Sequence, residues 1–500
     1  VRPRTLLVLL IVVAGLAAFI RFYERDLPSS DERAQRAKKV LDFKKDQVNR
    51  VRLTAAGTTV VLERQPAPGA PGAKGTGAAK PAATKLPDAL AALAANTAKG
   101  PDAPGEWRIA QPLQARADAA AVDRLLDSLV NLEKTRTLDR VAPAEMGLDK
   151  PRGVVALTIA GARGETVLQI GATVPTTGQA IVAVAGRPQA YVVGDTLLSD
   201  VAKKPGEWRD RQMFHGDRDA IERLAWTMGS GPRVVLAKRG DRFWLESPLA
   251  DRADRDQVEK LLSDLMGLNA DTFLDAPPAP AAPPRAVLEV VVAGQSQPFR
   301  VELGASHPAS SGAPQPGAPE AAGTLTAARA GATWFETRSA LPATLARPLA
   351  DWRSPLLSGL EVHQVDSAVV HDAQGALSLT RSGTDWKRGT ATISYLPVSD
   401  LLFAVTEAKA DRLLTPAEAA ALGAGAGQPA LSFELKGGQA GSETLSLYPL
   451  LTGATKGVPA RGGGRDTVLL LPESKLKDIR DRLDAVRAAK PLPPEKPAKK

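Results

Sequence analysis

The sequence predicts an α+β fold: an N-terminal transmembrane helix followed by three tandem β-rich repeats. Each repeat is expected to be a largely antiparallel sheet packed with one long amphipathic helix and a short closing helix. Three observations predict this. A seventeen-residue block recurs without a gap, as VDRLLDSLVNLEKTRTL from Val122, VEKLLSDLMGLNADTFL from Val258 and VSDLLFAVTEAKADRLL from Val398. A tryptophan precedes each copy, and Trp107, Trp244 and Trp386 are spaced by 137 and 142 residues. Such a period is far longer than a solenoid unit, so each repeat should be a small domain with its own core. Finally, Thr5 to Ile20 is an uncharged, mostly aliphatic run flanked by Arg2 and Arg4 before and Arg21 after.

That apolar run can cross a bilayer, at the short end of the range, with Phe22 and Tyr23 as interfacial aromatics. A cleaved signal peptide is the competing reading, but Gly15-Leu16-Ala17 is a poor cleavage site. Residues 1–23 are therefore read as a transmembrane signal-anchor and 24–46 as a juxtamembrane helix or linker. Counting Arg21, Arg25, Arg33, Arg36, Lys38 and Lys39 after the span would favour a cytoplasmic body. Long domains translocate largely regardless of flanking charge, however. The expected location is the bacterial inner membrane, single-pass, with the C-terminal body in the periplasm.

The recurring block should be a helix because Val122, Leu125, Leu126, Leu129 and Leu132 fall on one face at helical spacing. The second copy repeats the stripe with Val258, Leu261, Leu262, Leu265 and Leu268. Asp118, Asp254 and Ser394 stand four residues before each opening valine, where an N-cap belongs, and Asp254 with Gln257 has capping-box spacing. Around the helix lie β-branched runs, beginning Val48-x-x-Val51-x-Leu53 in the first repeat and Ile221-x-x-Leu224-x-Trp226 in the second. Trp208-Arg209 and Trp352-Arg353 close the first two repeats, whereas the third ends in Glu473 to Ala488, which reads as a helix.

The alignment of repeats also places the boundaries. Residues 66–104 are rich in Ala, Pro, Gly and Lys and look like an interdomain linker. Yet the equivalent strands are joined by Gly240-Asp241 in the second repeat and Gly383-Thr384-Asp385 in the third, both hairpin chemistry. The stretch is thus an overgrown hairpin loop, within which Leu86 to Ala98 could form a short helix. Residues 305–323 swell a strand connection in the same way. The repeats are assigned to 47–213, 214–356 and 357–489, with a Lys/Pro-rich tail at 490–500.

The chemistry is sparse. With no cysteine, disulfides, thiolate catalysis and Cys-ligated zinc are excluded. The formal charge of +9 is modest for 500 residues, and only 4% are aromatic, so nucleic-acid binding has no motif behind it. The histidines His215, His307, His363 and His371 form no HExxH or HxH arrangement, and surface histidines are the simpler reading of His363 and His371. Gly69 to Thr76 (GAPGAKGT) has its Lys before the second Gly and no strand leading in, so it is low complexity rather than a phosphate loop. Arg116-Ala117-Asp118 and Arg252-Ala253-Asp254 are read as helix caps with an exposed arginine, a ligand role being the alternative. No residue is nominated as catalytic, cofactor-binding or metal-ligating, and no cofactor is expected.

One resemblance emerges from these motifs together. The opening RPRTLLVLLIVVAGLAAFIRFYERD, then Glu106-Trp107-Arg108, Pro112-Leu113, Asp118 with the VDRLL helix, and Met146-Gly147-Leu148-Asp149-x-Pro151, resemble the bacterial domain of unknown function 4340 family. The similarity runs over nearly all of the chain as repeated copies of the domain. It implies a membrane-anchored protein that accompanies ABC-2-type permeases and gliding-motility-associated transport proteins, and it carries over no catalytic residues. The expected function is a non-enzymatic extracytoplasmic accessory or scaffold protein of such a complex. Its expected partners are the inner membrane, through residues 5–23, and an ABC-2-type permease with its associated membrane proteins. The alternative is a periplasmic glycan- or peptide-binding or hydrolytic module with a site between repeats.

Overall fold

The computed structural model describes residues 35, 37–65, 105–139, 142–174, 178–278, 283–308, 324–438, 441–453 and 455–493. The expected transmembrane segment, residues 24–34, the Leu86 to Ala98 stretch and residues 494–500 of the tail lie outside them. Among the described residues no helix is long and apolar enough to cross a membrane. The chain divides into two compact units, Val1–Arg211 and Gln212–Lys500.

The first unit holds the first repeat. Its strands are β1 (Val48–Ala55), β2 (Thr58–Arg64), β3 (Trp107–Gln111), β4 (Ala115–Arg116), β5 (Arg136–Leu138), β6 (Gly153–Ile159), β7 (Glu165–Val174), β8 (Gln179–Val184) and β9 (Ala190–Gly194). They form one antiparallel sheet in the order β4-β3-β2-β1-β6-β7-β8-β9-β5. Two meanders thus meet at the β1–β6 pair, and α1 (Ala119–Val130) makes the crossover between them. The Val-x-x-Val spacing in β1 breaks the two-residue strand period, and a bulge between Val48 and Arg50 absorbs the extra residue. Val48, Val51 and Leu53 are consequently all buried. β2 and β3 pair directly, with Arg64 opposite Trp107, so the strands flanking residues 66–104 are neighbours. Val40 and Leu41, ahead of β1, also join this core.

On α1, Val122, Leu125, Leu126 and Leu129 are each about 0% exposed. Burying such aliphatic side chains at roughly 1.5–3 kcal/mol each holds the helix in place. Asp118 caps it by accepting the Ala121 N–H at 3.0 Å. The chain then closes through α2 (Thr196–Val201) and a 3-10 turn at Pro205–Trp208. The Trp208 carbonyl accepts the Asp118 N–H at 2.8 Å, so the closing motif is tied to the helix start.

The second unit contains two more nine-stranded antiparallel sheets with the same strand order. α3 (Arg255–Met266) and α5 (Tyr395–Thr406) occupy the place of α1, and α4 (Leu341–Leu345) that of α2. The second repeat's first strand, Ile221–Met228, carries the same bulge, between Ile221 and Arg223. Each repeat has its own apolar cluster. The chain is therefore a β-rich α+β protein of three repeats. In the third repeat α6 (Pro416–Ala421) follows the helix–strand segment, and α7 (Glu473–Ala488) packs on α5. This closing helix of 16 residues has the bounds expected from the sequence, and its Leu476, Ile479, Leu483 and Val486 are buried.

Two capping expectations need correction. Asp254 accepts the Gln257 N–H at 3.0 Å, but the return half of the capping box is absent. The Asp254 N–H already donates to the Trp352 carbonyl at 2.9 Å, leaving Gln257 nothing to accept there. Ser394 occupies the N-cap of α5 without a side-chain bond. The residue three places on is Pro397, which has no N–H to offer.

Candidate functional site

Within the second unit, the Arg-Ala-Asp motif departs from its twin in the first. Arg116 is exposed, and pairs with Glu106 at 2.7 Å and Asp210 at 3.5 Å. Arg252 is only 5% exposed, which corrects the expectation of an exposed arginine. The cause is local and non-local together. The preceding residue is Asp251, where the other repeats carry Ala115 and Ala391, and a loop of the third repeat folds against it.

Asp251 is the anchor of a buried ionic network. Its carboxylate accepts from Arg353 Nε at 2.7 Å, Arg465 Nη1 at 3.3 Å and Thr467 Oγ1 at 2.9 Å, and from the Arg252 N–H at 2.8 Å. Arg353 comes from the closing Trp-Arg of the second repeat. Arg465 comes from the loop between the third repeat's strands Val458–Arg461 and Val468–Leu471. Arg465 also donates to the carbonyls of Ser354 at 2.6 Å and Leu356 at 2.5 Å. Arg252 Nη2 reaches the same Leu356 carbonyl and, at 3.3 Å, Ser354 Oγ.

The loop can reach this far because it is Gly462-Gly463-Gly464-Arg465. Gly463 and Gly464 have φ of +69° and +66°, and a side chain starting on Gly463 would lie 2.3 Å from Arg252 Nη1. Glycine is required there for both conformation and close approach. The equivalent connection in the second repeat is only Gly331-Ala332, between strands Thr324–Ala330 and Thr333–Thr337.

A second carboxylate stands nearby. Glu443 accepts the backbone N–H of Gly359 at 2.9 Å and of Leu360 at 3.3 Å, and the hydroxyl of Ser358. Two buried guanidinium groups, Arg353 and Arg465, thus share the buried Asp251 carboxylate, while the third, Arg252, bonds through Nη2 only to Ser354 and Leu356. Burial, reinforced by the neighbouring Arg465 charge, pushes the Arg252 guanidinium down to about 9. Burial also lowers Arg465, with Asp251 opposing the shift.

Beside this network lies a cleft of about 640 Å³, bounded by Arg242, Arg252, Asp254, Gly359, Glu361 and Lys409 among others. It lies between the second and third repeats, inside one compact unit. Arg242 donates through Nη2 to Gln364 Oε1 at 3.2 Å, and Arg255 pairs with Glu361 at 2.6 Å. Asp241, Asp254, Asp256, Glu259, Glu361 and Glu407 also line the cleft, so its carboxylates outnumber the cations Arg242, Arg252, Arg255 and Lys409.

The histidines are not brought into one site. His363, on the rim of the cleft, faces Glu361 at 3.4 Å, and His371 faces Glu434 at 3.6 Å. Among the described residues no group of three or more metal-binding side chains forms. Sequence reasoning did not find Asp251, Glu443 or Arg465. Two signals for them were available: the lone Ala-to-Asp change at 251 among aligned repeats, and the triple glycine before Arg465.

Among known families, a model described as a domain of unknown function (DUF4340) matches residues 107–286. The match runs from Trp107 on β3 of the first repeat to Ala286, the first residue of the second repeat's central strand Ala286–Val292. It is shorter than the nearly whole-chain similarity expected from the motifs. No curated protein and no solved structure matches the chain.

Proposed function

We propose that this chain, whose residues 107–286 belong to the domain of unknown function 4340 family, is a non-enzymatic scaffold. It would be a membrane-anchored accessory protein of an ABC-type transport complex of the gliding-motility kind, with its body outside the cytoplasm. The observation that supports this most is the junction inside the second unit. There Asp251, Arg353, Arg465 and Thr467 hold two repeats of one fold in a set relation through buried, directional bonds. A protein that positions partners needs such a rigid spacing between domains more than it needs a reactive centre. Anchorage rests on the apolar residues 5–23, and the transport system on the family resemblance.

Crosslinking in intact cells followed by purification of the full chain tests the role. Recovery of a permease or its ATPase is the expected result, and repeated recovery of the chain alone would overturn it. Alkaline phosphatase fused after residue 45 should be active if the body is exported, and inactive if it faces the cytoplasm.

A second reading is favoured by the cleft between the second and third repeats: a module that binds a periplasmic glycan or peptide, or hydrolyses it, there. Saturable binding of muropeptides or oligosaccharides by the purified chain separates it from a pure scaffold.

A further inference from the structure

The third repeat ends on a face whose counterpart in the second repeat is already occupied. In every repeat the departing chain donates a backbone N–H to the residue two places before the helix cap. Asp210 bonds the Arg116 carbonyl at 3.0 Å, Ser354 that of Arg252 at 2.9 Å and Leu492 that of Thr392 at 2.8 Å. Ala391, Thr392, Pro491 and Leu492 therefore stand where the second repeat has Asp251, Arg252, Arg353 and Ser354. In the second repeat these four are buried, and the third repeat's Arg465 bonds Asp251 and the Ser354 carbonyl. Arg255, in the first turn of α3, reaches the third repeat too, through Glu361 at 2.6 Å. On the third repeat the same face is open: Leu492 is 38% exposed, against 4% for Ser354.

The chemistry of the face has changed as well. Tyr395 and Leu396 replace Arg255 and Asp256, and Phe403 replaces Ser263. Leu396 and Phe403 are seven residues apart and so share one side of α5, where they are 64% and 58% exposed. Asp400, between them, lies 4.0 Å from Arg482, which offsets its charge. Large apolar side chains gathered where the sister helices carry Ala120 and Asp127, or Asp256 and Ser263, mark a contact surface.

We propose that this face of the third repeat is a dimerisation surface, through which two copies of the chain pair about a two-fold axis. Tyr395, Leu396, Phe403 and Leu492 of one copy meet the same residues of the other. Two-fold pairing sets one patch against itself, so the patch must be self-complementary. Apolar groups meet that condition, and excluding water from them supplies the attraction. The charged face of the second repeat does not, since Asp251 and Arg255 are matched by a different surface carrying Arg465 and Glu361. A further repeat docking in that manner would find no carboxylate at Ala391 and no cation at Tyr395. The pairing depends neither on the transport partner nor on a ligand in the cleft.

The chain contains no cysteine, so Leu396→Cys gives the full chain a single thiol. Mild oxidation after reconstitution into phosphatidylcholine vesicles should yield a disulfide-linked dimer. Ala120→Cys, at the same helix position in the first repeat, should remain monomeric. Light scattering of the wild-type chain in detergent should give the mass of a dimer. Leu396→Asp combined with Phe403→Ser restores the residues of the second repeat and should weaken that dimer about a hundredfold or more. Its melting temperature should be unchanged, because both positions are exposed. If the double variant does not fold, Phe403→Ser decides alone. A wild-type chain that stays monomeric at every concentration, or a dimer that the substitutions leave intact, would overturn the proposal. So would a monomeric chain whose bimane-labelled Leu396→Cys is quenched by spin-labelled lipid, which would put the bilayer in place of the second copy.

Discussion

Replacing Asp251 with alanine should loosen the second unit far more than any surface charge change. The Asp251 side chain is 0% exposed, and its removal strands the Arg353 and Arg465 side chains at 9% and 1% exposure. It deletes side-chain bonds of 2.7, 3.3 and 2.9 Å from Arg353, Arg465 and Thr467. Leaving a buried charge without its partner costs about 3–5 kcal/mol. Here two cations lose one shared anion, and water admitted to the gap offsets part of the difference, so the expected loss stays in that range. Arg218→Ala, which breaks the exposed Arg218–Glu259 pair, is the control and should cost about 1 kcal/mol or less. Hydrogen exchange at increasing urea, read by mass spectrometry, resolves peptides of residues 212–500 from those of 1–211. In Asp251→Ala the second unit's opening should shift to lower urea while the first unit's peptides stay unchanged. A shift no larger than that of Arg218→Ala would refute the idea that Asp251 anchors the junction.

Other expectations use the same measurement or simple melts. Asp118→Ala and Asp254→Ala should each cost about 1 kcal/mol through loss of the bonds to Ala121 and Gln257. Ser394→Ala should leave stability unchanged, because Ser394 makes no such bond. Leu125→Ala and Leu401→Ala, both at 0% exposure, should each cost about 2–5 kcal/mol, with exchange accelerated only in the unit that holds the substitution. Asp372 receives two bonds of 2.7 Å from Arg487, and these hold its carboxyl below the usual carboxylate range. A depressed carboxyl stabilises the fold above its unfolded value of about 3.9 and loses that contribution as pH falls through the lower folded value. Wild type should thus exceed Asp372→Asn in urea midpoint at pH 6, and the gap should close progressively below about pH 4. A gap unchanged at pH 3 would reject the pair's role in holding α7.

Much of the fold was legible because its signals are local. The Val-x-x-Leu-Leu stripe specifies a helix face, and the Val48-x-x-Val51 spacing already contains the bulge that the strand later shows. The turns Gly240-Asp241 and Gly383-Thr384 revealed that β2 and β3 must be neighbours across residues 66–104. The Trp-Arg motifs were visible as repeat ends. Their bond to the next helix start, from Asp118 to Trp208 and from Asp254 to Trp352, was not, because it joins residues far apart in sequence.

The candidate site shows the limit most clearly. Arg116 and Arg252 stand in the same motif, and an arginine is exposed by default. Nothing within either motif tells the exposed side chain from the buried one. The amino-acid sequence by itself determined the three repeats, their helices and strands, and the positions of their turns, since hydrophobic period and backbone preference act over a few residues. Only the tertiary structure decided that Arg465 meets Asp251 across 214 residues, and that Arg252 is left with an unused donor at a cleft. Pairing of charges depends on which surfaces are brought together and how much water they exclude, and neither is written in any single segment.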